Sequence, residues 1–382
     1  MSEVHGTVAA GFESVREEFA SVLADEARDG GAQLAVYHRG RRVVDLWGGE
    51  DVDGDALLAL YSCSKGAVAL VVALLVQDGA LDLDREVASW WPEFAAEGKG
   101  ALTLRELLAH RAGAIAVEGG FTLEELADDR GVAARLAAHR PYWEPGTGHG
   151  YHGHTFGALV GEVVVRATGR TVREHYEERI RVPYGVDYHL GLPEELEPRF
   201  RTVLPMRPTP EEQALLDAHP VAPDSLLSIA FGLHGDPPLD MVAYGNSRAL
   251  RAGAPLSGGG VGSARGLARM YAAMAGELDG RAPLLKPETL AEFSRVHSEG
   301  TDLVTGNPNA FALGFIPLAL RHPELGAGAV GHSGAPGSQA FAEPARSLAY
   351  TYARRRFAVF GGPGPSSARP ATASVRTSPA RS

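Results

Sequence analysis

Cysteine is almost absent from this chain of 382 residues: Cys63 is the only one, so no intramolecular disulfide can form. Basic residues are outnumbered by acidic ones, and a net charge of −11 without any basic stripe argues against a nucleic-acid partner. The apolar run after Gly66 stops at Val76, which is too short to span a membrane. The first residues lack the basic and apolar segments of a secretory signal. We therefore expect a soluble cytoplasmic protein with no membrane partner.

Strand signals are missing from the middle of the chain, between residues 81 and 254, where helical patterns and loops alternate. Segments with strand patterns lie on both sides of this region: Gln33–His38, Arg42–Trp47, Phe311–Ile316, Ser338–Ala342 and Leu348–Tyr352. We expect the early and late strands to share one sheet. The predicted fold is α/β, an antiparallel sheet flanked by helices with an all-helical region inserted. One domain would cover residues 1–360, with its α/β part at 1–80 and 255–360 and its helical part at 81–254.

Large apolar residues become scarce after Gly361. Glycine, proline, serine, alanine, threonine and arginine make up nearly all of the remaining sequence. A segment of this composition buries too little apolar surface to offset the entropy that is lost on ordering. The sequence therefore predicts a disordered tail at residues 361–382.

A serine and a lysine three residues apart introduce the most apolar segment of the chain. The residues after Lys65 are apolar almost all round, which predicts a buried helix that ends at Gly79. Ser62 lies at the start of this helix, and Lys65 lies on the same face one turn later. Ser64 is a competing serine, but it points to another face of the helix.

Serine and lysine at this spacing can act as a nucleophile and its base. A lysine in an apolar site loses part of its preference for the charged form and can take the serine proton. The free N–H groups and the dipole at a helix start favour developing negative charge. The same spacing also occurs where a serine merely caps a helix, but the apolar helix here favours catalysis. The motif thus predicts Ser62 as the nucleophile and Lys65 as the base. The N–H groups at the helix start are predicted to form part of an oxyanion site.

Two glycine-rich loops carry the other groups that such chemistry needs. Tyr151 precedes a predicted helix, and close to a lysine ammonium its pKa is expected to fall, so that it can shuttle a proton. The segment Gly331–Ser338 precedes a strand, and its glycines let the backbone approach a ligand. The N–H of Ala335 is predicted to complete the oxyanion hole with that of Ser62. Taken alone, the two loops would indicate only a packed tyrosine and a turn.

These three segments, in this order, resemble the motifs Ser-x-x-Lys, Tyr-x-Asn and Lys-Thr-Gly of the serine β-lactamase and penicillin-binding-protein superfamily. They read Ser62-Cys63-Ser64-Lys65, Tyr151-His152-Gly153 and His332-Ser333-Gly334. The chain is most similar to the branch called family VIII carboxylesterases, which are relatives of the class C β-lactamases. The resemblance extends from about Gly11 to about Tyr352 and includes Leu107–Gly113 and Tyr244–Arg248.

The resemblance implies a role for each of these residues. Ser62 would be the acylated nucleophile, Lys65 the general base or its partner, and Tyr151 the group that moves protons to the leaving group. Which of Lys65 and Tyr151 is the base stays open. The N–H groups of Ser62 and Ala335 would form the oxyanion hole, in a groove between the α/β part and the helical region. We expect no cofactor, and a small-molecule ester or acyl compound as substrate.

Two departures from the motifs favour esters over β-lactams. Gly153 stands where β-lactamases have an asparagine that contacts the amide side chain of a β-lactam. His332 stands where they have a lysine that recognises the substrate carboxylate. Because ester recognition needs neither group, we predict a serine hydrolase of small carboxylic esters. Its predicted substrate-binding residues are His149, His152, Gly153, His332, Ser333 and Gly334.

A third departure concerns the end of the chain. Members of this family usually continue beyond the last strand into a helix that packs on the sheet. Here Tyr352 is followed by Ala353-Arg354-Arg355-Arg356 and then by the low-complexity tail. Either this helix is lost or the terminus is not the ancestral one.

Other functions stay open on the sequence alone. The acyl group could pass to an alcohol or amine instead of water, which would make the protein an acyltransferase. β-Lactamase activity ranks lower for the reasons above. His149, His152 and His154 could bind zinc in a metal-dependent hydrolase, although no carboxylate falls within this cluster. A non-catalytic binding protein is the last alternative, whereas an α/β-hydrolase is set aside because Gly-x-Ser-x-Gly is missing.

Overall fold

The computed structural model describes residues 3–25 and 30–378. Within these ranges the strands are β1 (Val4–Val8), β2 (Ala32–His38), β3 (Arg41–Gly48), β4 (Leu58–Ala59), β5 (Tyr188–His189), β6 (Val261–Gly262), β7 (Ser298–Thr301), β8 (Pro308–Phe311), β9 (Ile316–Pro317), β10 (Val330–Ser333), β11 (Gln339–Glu343) and β12 (Leu348–Arg354). The α-helices are α1 (Glu13–Asp25), α2 (Ser64–Gln77), α3 (Leu104–Leu108), α4 (Asp129–Ala138), α5 (Phe156–Thr168), α6 (Val172–Tyr176), α7 (Val182–Tyr184), α8 (Pro210–Ala218), α9 (Leu226–Phe231), α10 (Met241–Asn246), α11 (Arg248–Gly253), α12 (Ala264–Ala275), α13 (Pro287–Ser294) and α14 (Pro365–Arg376). Of the helices in these ranges, none is long and apolar enough to cross a membrane.

Seven strands form one antiparallel sheet in the order β1-β3-β2-β12-β11-β10-β9. An early strand and the last strand meet at the centre of this sheet. There β12 pairs with β2, from Leu348 opposite His38 to Arg354 opposite Ala32. This pairing confirms that the early and late strands share one sheet. The residues between 81 and 254 are helical or irregular apart from β5, which pairs with β6.

Alternating side chains of the central strands fill two separate cores. On β2, Leu34 and Val36 pack in the core that α1 and α14 share with the sheet. Ala35 and Tyr37 belong to the larger core on the other face, together with α2 and α12. This period of two follows from the pleat of a strand, which directs successive side chains to opposite faces.

Helix α2 runs through the larger core. Its residues from Ser64 to Leu75 are all buried, and it ends at Gln77, just before Gly79 at φ +76°. A helix that is buried on all sides needs apolar residues on all sides, and the run after Lys65 supplies them. The predicted buried helix is confirmed. It packs against α5 and β10, so its first turn lies between the helical region and the sheet.

The strand predicted at Phe311–Ile316 is wrong in its middle. β8 ends at Phe311, β9 begins at Ile316, and the residues between them form a turn. Gly314 in this turn has φ +73°, and a Cβ there would lie only 2.8 Å from the Cβ of Ala69 on α2. The turn is apolar because it packs on α2, so its composition imitates that of a strand.

The predicted disorder of residues 361–382 is wrong for the described part of this segment. Helix α14 packs against α1 and β12, with Ala371 and Val375 buried. Tyr350 donates a hydrogen bond to the carbonyl of Ser367 at 2.8 Å. Small side chains let α14 lie close to its neighbours, so the helix docks although its sequence carries little apolar mass. The helix that the sequence left in doubt is therefore present; residues 379–382 lie outside the described residues.

Val375→Asp is expected to destabilise the fold, because it places an unpaired carboxylate in the core beneath α14. We expect the free energy of unfolding to fall by about 3 kcal/mol. Arg376→Ser, at the exposed neighbouring position, should change it by less than about 0.5 kcal/mol. Urea unfolding followed by circular dichroism measures both variants. Equal effects of the two substitutions would contradict the docking of α14.

Candidate active site

A tight turn presents Ser62 at the edge of the larger core. β4 is followed by one 3₁₀ turn at Tyr61–Cys63 and then directly by α2. Tyr61 has φ +45°, a left-handed conformation that is costly for a bulky residue. Its hydroxyl donates to the carbonyl of Met241 at 2.6 Å, which holds the ring in place. Ser62 is partly exposed although the residues on both sides of it are buried.

Lys65 is fully buried, with an exposed fraction of 0%. Its Nζ donates to the carbonyl oxygens of Gly153 at 2.7 Å and Ser257 at 2.8 Å. The same Nζ lies 3.2 Å from Ser62 Oγ. Burial lowers the pKa of Lys65 to about 7, because the ammonium loses its hydration and no carboxylate among the described residues compensates for that loss.

Ser64, the other serine of the motif, is committed to the packing of the turn. Its hydroxyl donates to the carbonyl of Tyr61 at 2.6 Å. It accepts hydrogen bonds from the N–H of Gly260 at 2.9 Å and from the hydroxyl of Tyr188 at 3.0 Å. These three bonds use the full capacity of a hydroxyl group, so Ser64 is not available as a nucleophile.

Tyr151 lies beside both Ser62 and Lys65. The centroid of its ring is 5.0 Å from Lys65 Nζ, and the ring of Phe311 stacks nearly parallel to it at 6.1 Å. Tyr151 is partly exposed and hydrogen-bonds with Ser62. The structure thus brings together all three residues that the sequence nominated for catalysis.

The direction predicted for the pKa of Tyr151 is wrong. Burial raises this pKa above the ordinary tyrosine value, although the hydrogen bond with Ser62 acts in the opposite direction. The expected lowering depended on a full lysine ammonium charge, but with a pKa of about 7 only about half of Lys65 is charged at pH 7. Tyr151 therefore stays protonated at neutral pH, where its phenol can donate a proton or a hydrogen bond.

Residues 148–155 form the Tyr151 loop, which precedes α5. Two buried residues that sequence reasoning missed hold this loop in place. Asp302 has no exposed surface, and its Oδ1 accepts the N–H of Tyr151 at 3.2 Å. The carbonyl of His110 accepts a hydrogen bond from the N–H of Gly150 at 3.1 Å. Nδ1 of the His110 ring accepts one from the N–H of His152 at 3.1 Å. Both residues are distant from Tyr151 along the chain, so no local pattern reveals them. The Gly-Asn-Pro run that follows Asp302 four residues later signals only a turn.

Ser257 is a third residue that the sequence did not reveal. Besides its carbonyl bond to Lys65, its Oγ accepts the N–H of Gly157 at 2.7 Å and so fixes the start of α5. The glycines after Ser257 let this loop approach α2, since a Cβ on Gly260 would lie 2.7 Å from Oγ of Ser64, the first residue of α2. That run of three glycines is the signal that would have located Ser257.

Residues 334–338, which we call the oxyanion loop, follow β10 and lie beside the Ser62 turn. Cys63 Sγ is 3.7 Å from the carbonyl oxygen of His332. A Cβ on Gly334 would lie 2.5 Å from the carbonyl oxygen of Leu60, so only glycine allows this approach. Ala335 is partly exposed, and its N–H donates no hydrogen bond to any residue that the structure describes. This N–H is therefore available to a substrate oxygen.

The residues that were predicted to contact the substrate differ in exposure. Ser333 is partly exposed, whereas the other five are buried: His149, His152, Gly153, His332 and Gly334. His149 packs against Phe311 at 5.9 Å between ring centroids. His152 packs against Trp143 at 5.8 Å, and its Nδ1 lies 2.7 Å from the carbonyl of Gly150. These two histidines therefore shape the wall behind Tyr151.

Burial keeps His332, His152 and His154 uncharged at neutral pH. It lowers the pKa of His332 to about 3, with the proximity of Lys65 as a second cause, and those of His152 and His154 to about 4. A neutral His332 does not supply the cation that a lysine would offer to a substrate carboxylate. In the part of the chain that the structure describes, no three potential ligands are grouped to hold a metal ion. The cluster of His149, His152 and His154 thus lacks the geometry of a zinc site.

Gly334→Ala is expected to slow the reaction of Ser62 with a fluorophosphonate about 100-fold, because the new Cβ pushes the oxyanion loop away from the Ser62 turn. Gly328→Ala is the matched control in the connection that leads into β10, since a Cβ there meets nothing within 4 Å. Labelling rates from intact-protein mass spectrometry compare the two variants. An unchanged rate in Gly334→Ala would contradict the close approach of the two segments.

Comparison with known proteins agrees with this geometry. The model of the beta-lactamase family matches residues 17–359. Esterase/beta-lactamase LipL of Mycobacterium tuberculosis is 32% identical over 372 residues, which cover 92% of this chain and 83% of LipL. EstA from Arthrobacter nitroguajacolicus Rue61a matches with a TM-score of 0.87 and 38% identity over 99% of this chain and 98% of EstA. A family VIII carboxylesterase matches with a TM-score of 0.86 and 33% identity over 98% of this chain and 100% of that structure. The predicted resemblance is confirmed, and the chain belongs to the beta-lactamase family, among its esterase- and β-lactamase-like serine hydrolases.

Proposed function

We propose that this protein hydrolyses small carboxylic esters through an acyl intermediate on Ser62. The surroundings of Lys65 carry the proposal. A neutral amine has two N–H bonds and one lone pair, and the carbonyls of Gly153 and Ser257 accept both N–H bonds. The lone pair is then left for the Ser62 hydroxyl, whose Oγ lies 3.2 Å away. Lys65 is therefore placed to act as the general base.

Acylation begins when Ser62 Oγ attacks the ester carbonyl carbon while its proton passes to Lys65 Nζ. The electron pair of the carbonyl moves onto its oxygen, which the N–H groups of Ser62 and Ala335 stabilise. Collapse of this intermediate breaks the bond to the leaving alkoxide. Tyr151 gives its proton to that alkoxide and is reprotonated from Lys65, which restores the neutral base.

Deacylation repeats the same steps with water as the nucleophile. Water attacks the acyl carbon, its proton moves to Lys65, and the oxyanion again forms at the N–H groups of Ser62 and Ala335. Collapse releases the carboxylic acid, and Ser62 recovers a proton through Tyr151. No step calls for a charged partner beyond these groups.

The walls of the site favour esters over β-lactams. Gly153 offers no side chain to an amide, and His332 is neutral and buried. Ser333 is the partly exposed residue of its motif, so we assign it to direct contact with the substrate. Gly334 acts through the backbone, since it brings the Ala335 N–H close to the Ser62 turn.

Ser62→Ala is expected to abolish formation of a covalent adduct with a short p-nitrophenyl ester or a fluorophosphonate. Its kcat/KM should fall at least about 1,000-fold, because no other hydroxyl takes the position of the nucleophile. Intact-protein mass spectrometry detects the adduct on the wild type. Ser64→Ala is the control and should still form it. An adduct that persists in Ser62→Ala would refute the assignment.

The pH dependence of kcat/KM is expected to show a base with an apparent pKa of about 7. Because Lys65 must be neutral to take the proton, activity should fall about tenfold per pH unit below this pKa and level off above it. Lys65→Arg stays protonated at every accessible pH. The kcat/KM of this variant should fall at least about 1,000-fold. A plateau reached only above about pH 10, the ordinary range of a tyrosine, would assign the base to Tyr151 instead.

A further inference from the structure

Phe231 is the point at which α9 touches the Tyr151 loop. Its ring lies 6.3 Å from the Tyr151 ring at an angle of 30°. The ring of His154 packs against it from another side, at 5.4 Å and 69°. Phe231 is partly exposed, so part of its ring stays accessible beside Tyr151.

The end of α9 is closed by hydrogen bonds that hold this ring in position. Phe231 is the last residue of the helix, and Gly232 follows it at φ +60°. Leu233 N–H donates to the carbonyl of Ser228 at 3.0 Å, and Ser228 Oγ lies 2.8 Å from His234 Nδ1. Ser228 is itself buried. The ring therefore sits on an anchored helix end rather than on a free loop.

The edge of the Phe231 ring fills the space in which a side chain at position 153 would begin. A Cβ on Gly153 would lie 2.6 Å from Phe231 Cζ and 2.8 Å from Cε1, distances that Cβ atoms do not adopt. A residue larger than glycine at position 153 therefore requires the Phe231 ring or the Gly153 backbone to move. The carbonyl of Gly153 also holds Lys65 Nζ at 2.7 Å, so a shift there would move the base.

We propose that Phe231 is a specificity-determining residue that contacts the acyl group of the substrate, an inference that rests on the esterase function proposed above. Its ring presents an apolar surface next to Tyr151. Such a surface binds hydrocarbon by burial, but it leaves an amide of the substrate without a hydrogen-bond partner. The pair of Phe231 and Gly153 thus selects esters of short apolar acids over esters whose acyl group carries an amide.

The test is a double-mutant cycle of Gly153→Asn and Phe231→Ala on two esters with the same leaving group, p-nitrophenyl butanoate and p-nitrophenyl N-acetylglycinate. Phe231→Ala should lower kcat/KM about 10-fold for the butanoate and less than about 3-fold for the N-acetylglycinate. Gly153→Asn alone should lower kcat/KM at least about 10-fold for both esters, because its side chain collides with Phe231. Adding Phe231→Ala to Gly153→Asn should restore the N-acetylglycinate rate at least about 10-fold.

Phe231→Leu keeps an apolar side chain and should give a butanoate rate between those of the wild type and Phe231→Ala. Fluorophosphonate labelling of Ser62 in every variant shows whether the site is folded. Wild-type rates in Gly153→Asn, equal losses on both esters in Phe231→Ala, or strictly additive effects in the cycle would overturn the proposal. A wild type that neither labels at Ser62 nor cleaves either ester would instead refute the proposed function.

Discussion

The active site is built around one buried amine, that of Lys65, which is held by two carbonyl oxygens. Removing Lys65 from water lowers its pKa, and the carbonyls of Gly153 and Ser257 fix the direction of its Nζ. These carbonyls belong to two loops, one before α5 and one before β6, so the arrangement exists only when both loops pack against the first turn of α2. The Tyr61 turn presents Ser62 beside this amine, and the glycine at position 334 lets the next loop approach that turn closely.

Local patterns were enough to predict the parts of the fold that depend on continuous stretches of sequence. The apolar run after Lys65 predicted α2, because a helix that is buried on every face carries apolar residues on every face. The strand pattern of Gln33–His38 predicted a strand of the main sheet, which the pairing of β2 and β3 confirms. The spacing of Ser62 and Lys65 placed both groups on one helical turn, and their separation in space follows from that spacing.

What the sequence missed depends on partners that are distant along the chain. Residues 361–382 were predicted to be disordered because they have few large apolar side chains, yet the docking surface supplied by α1 and β12 lets a helix of small residues pack. The pKa of Tyr151 was predicted in the wrong direction, because the prediction counted the charge of Lys65 and not the burial that both groups share. Asp302 and Phe231 reach Tyr151 from other segments, and no motif around either residue announces that contact.

The most direct test of this account is the pKa of Lys65 itself. The chain contains three lysines, Lys65, Lys99 and Lys286, so protein labelled with 13C at the lysine ε-carbon gives three signals in an NMR titration. The signal of Lys65 is the one that disappears in Lys65→Arg. We predict a midpoint of about 7 for this signal. A midpoint near the ordinary lysine value of about 10.4 would show a charged amine at neutral pH and would contradict the role of Lys65 as the base.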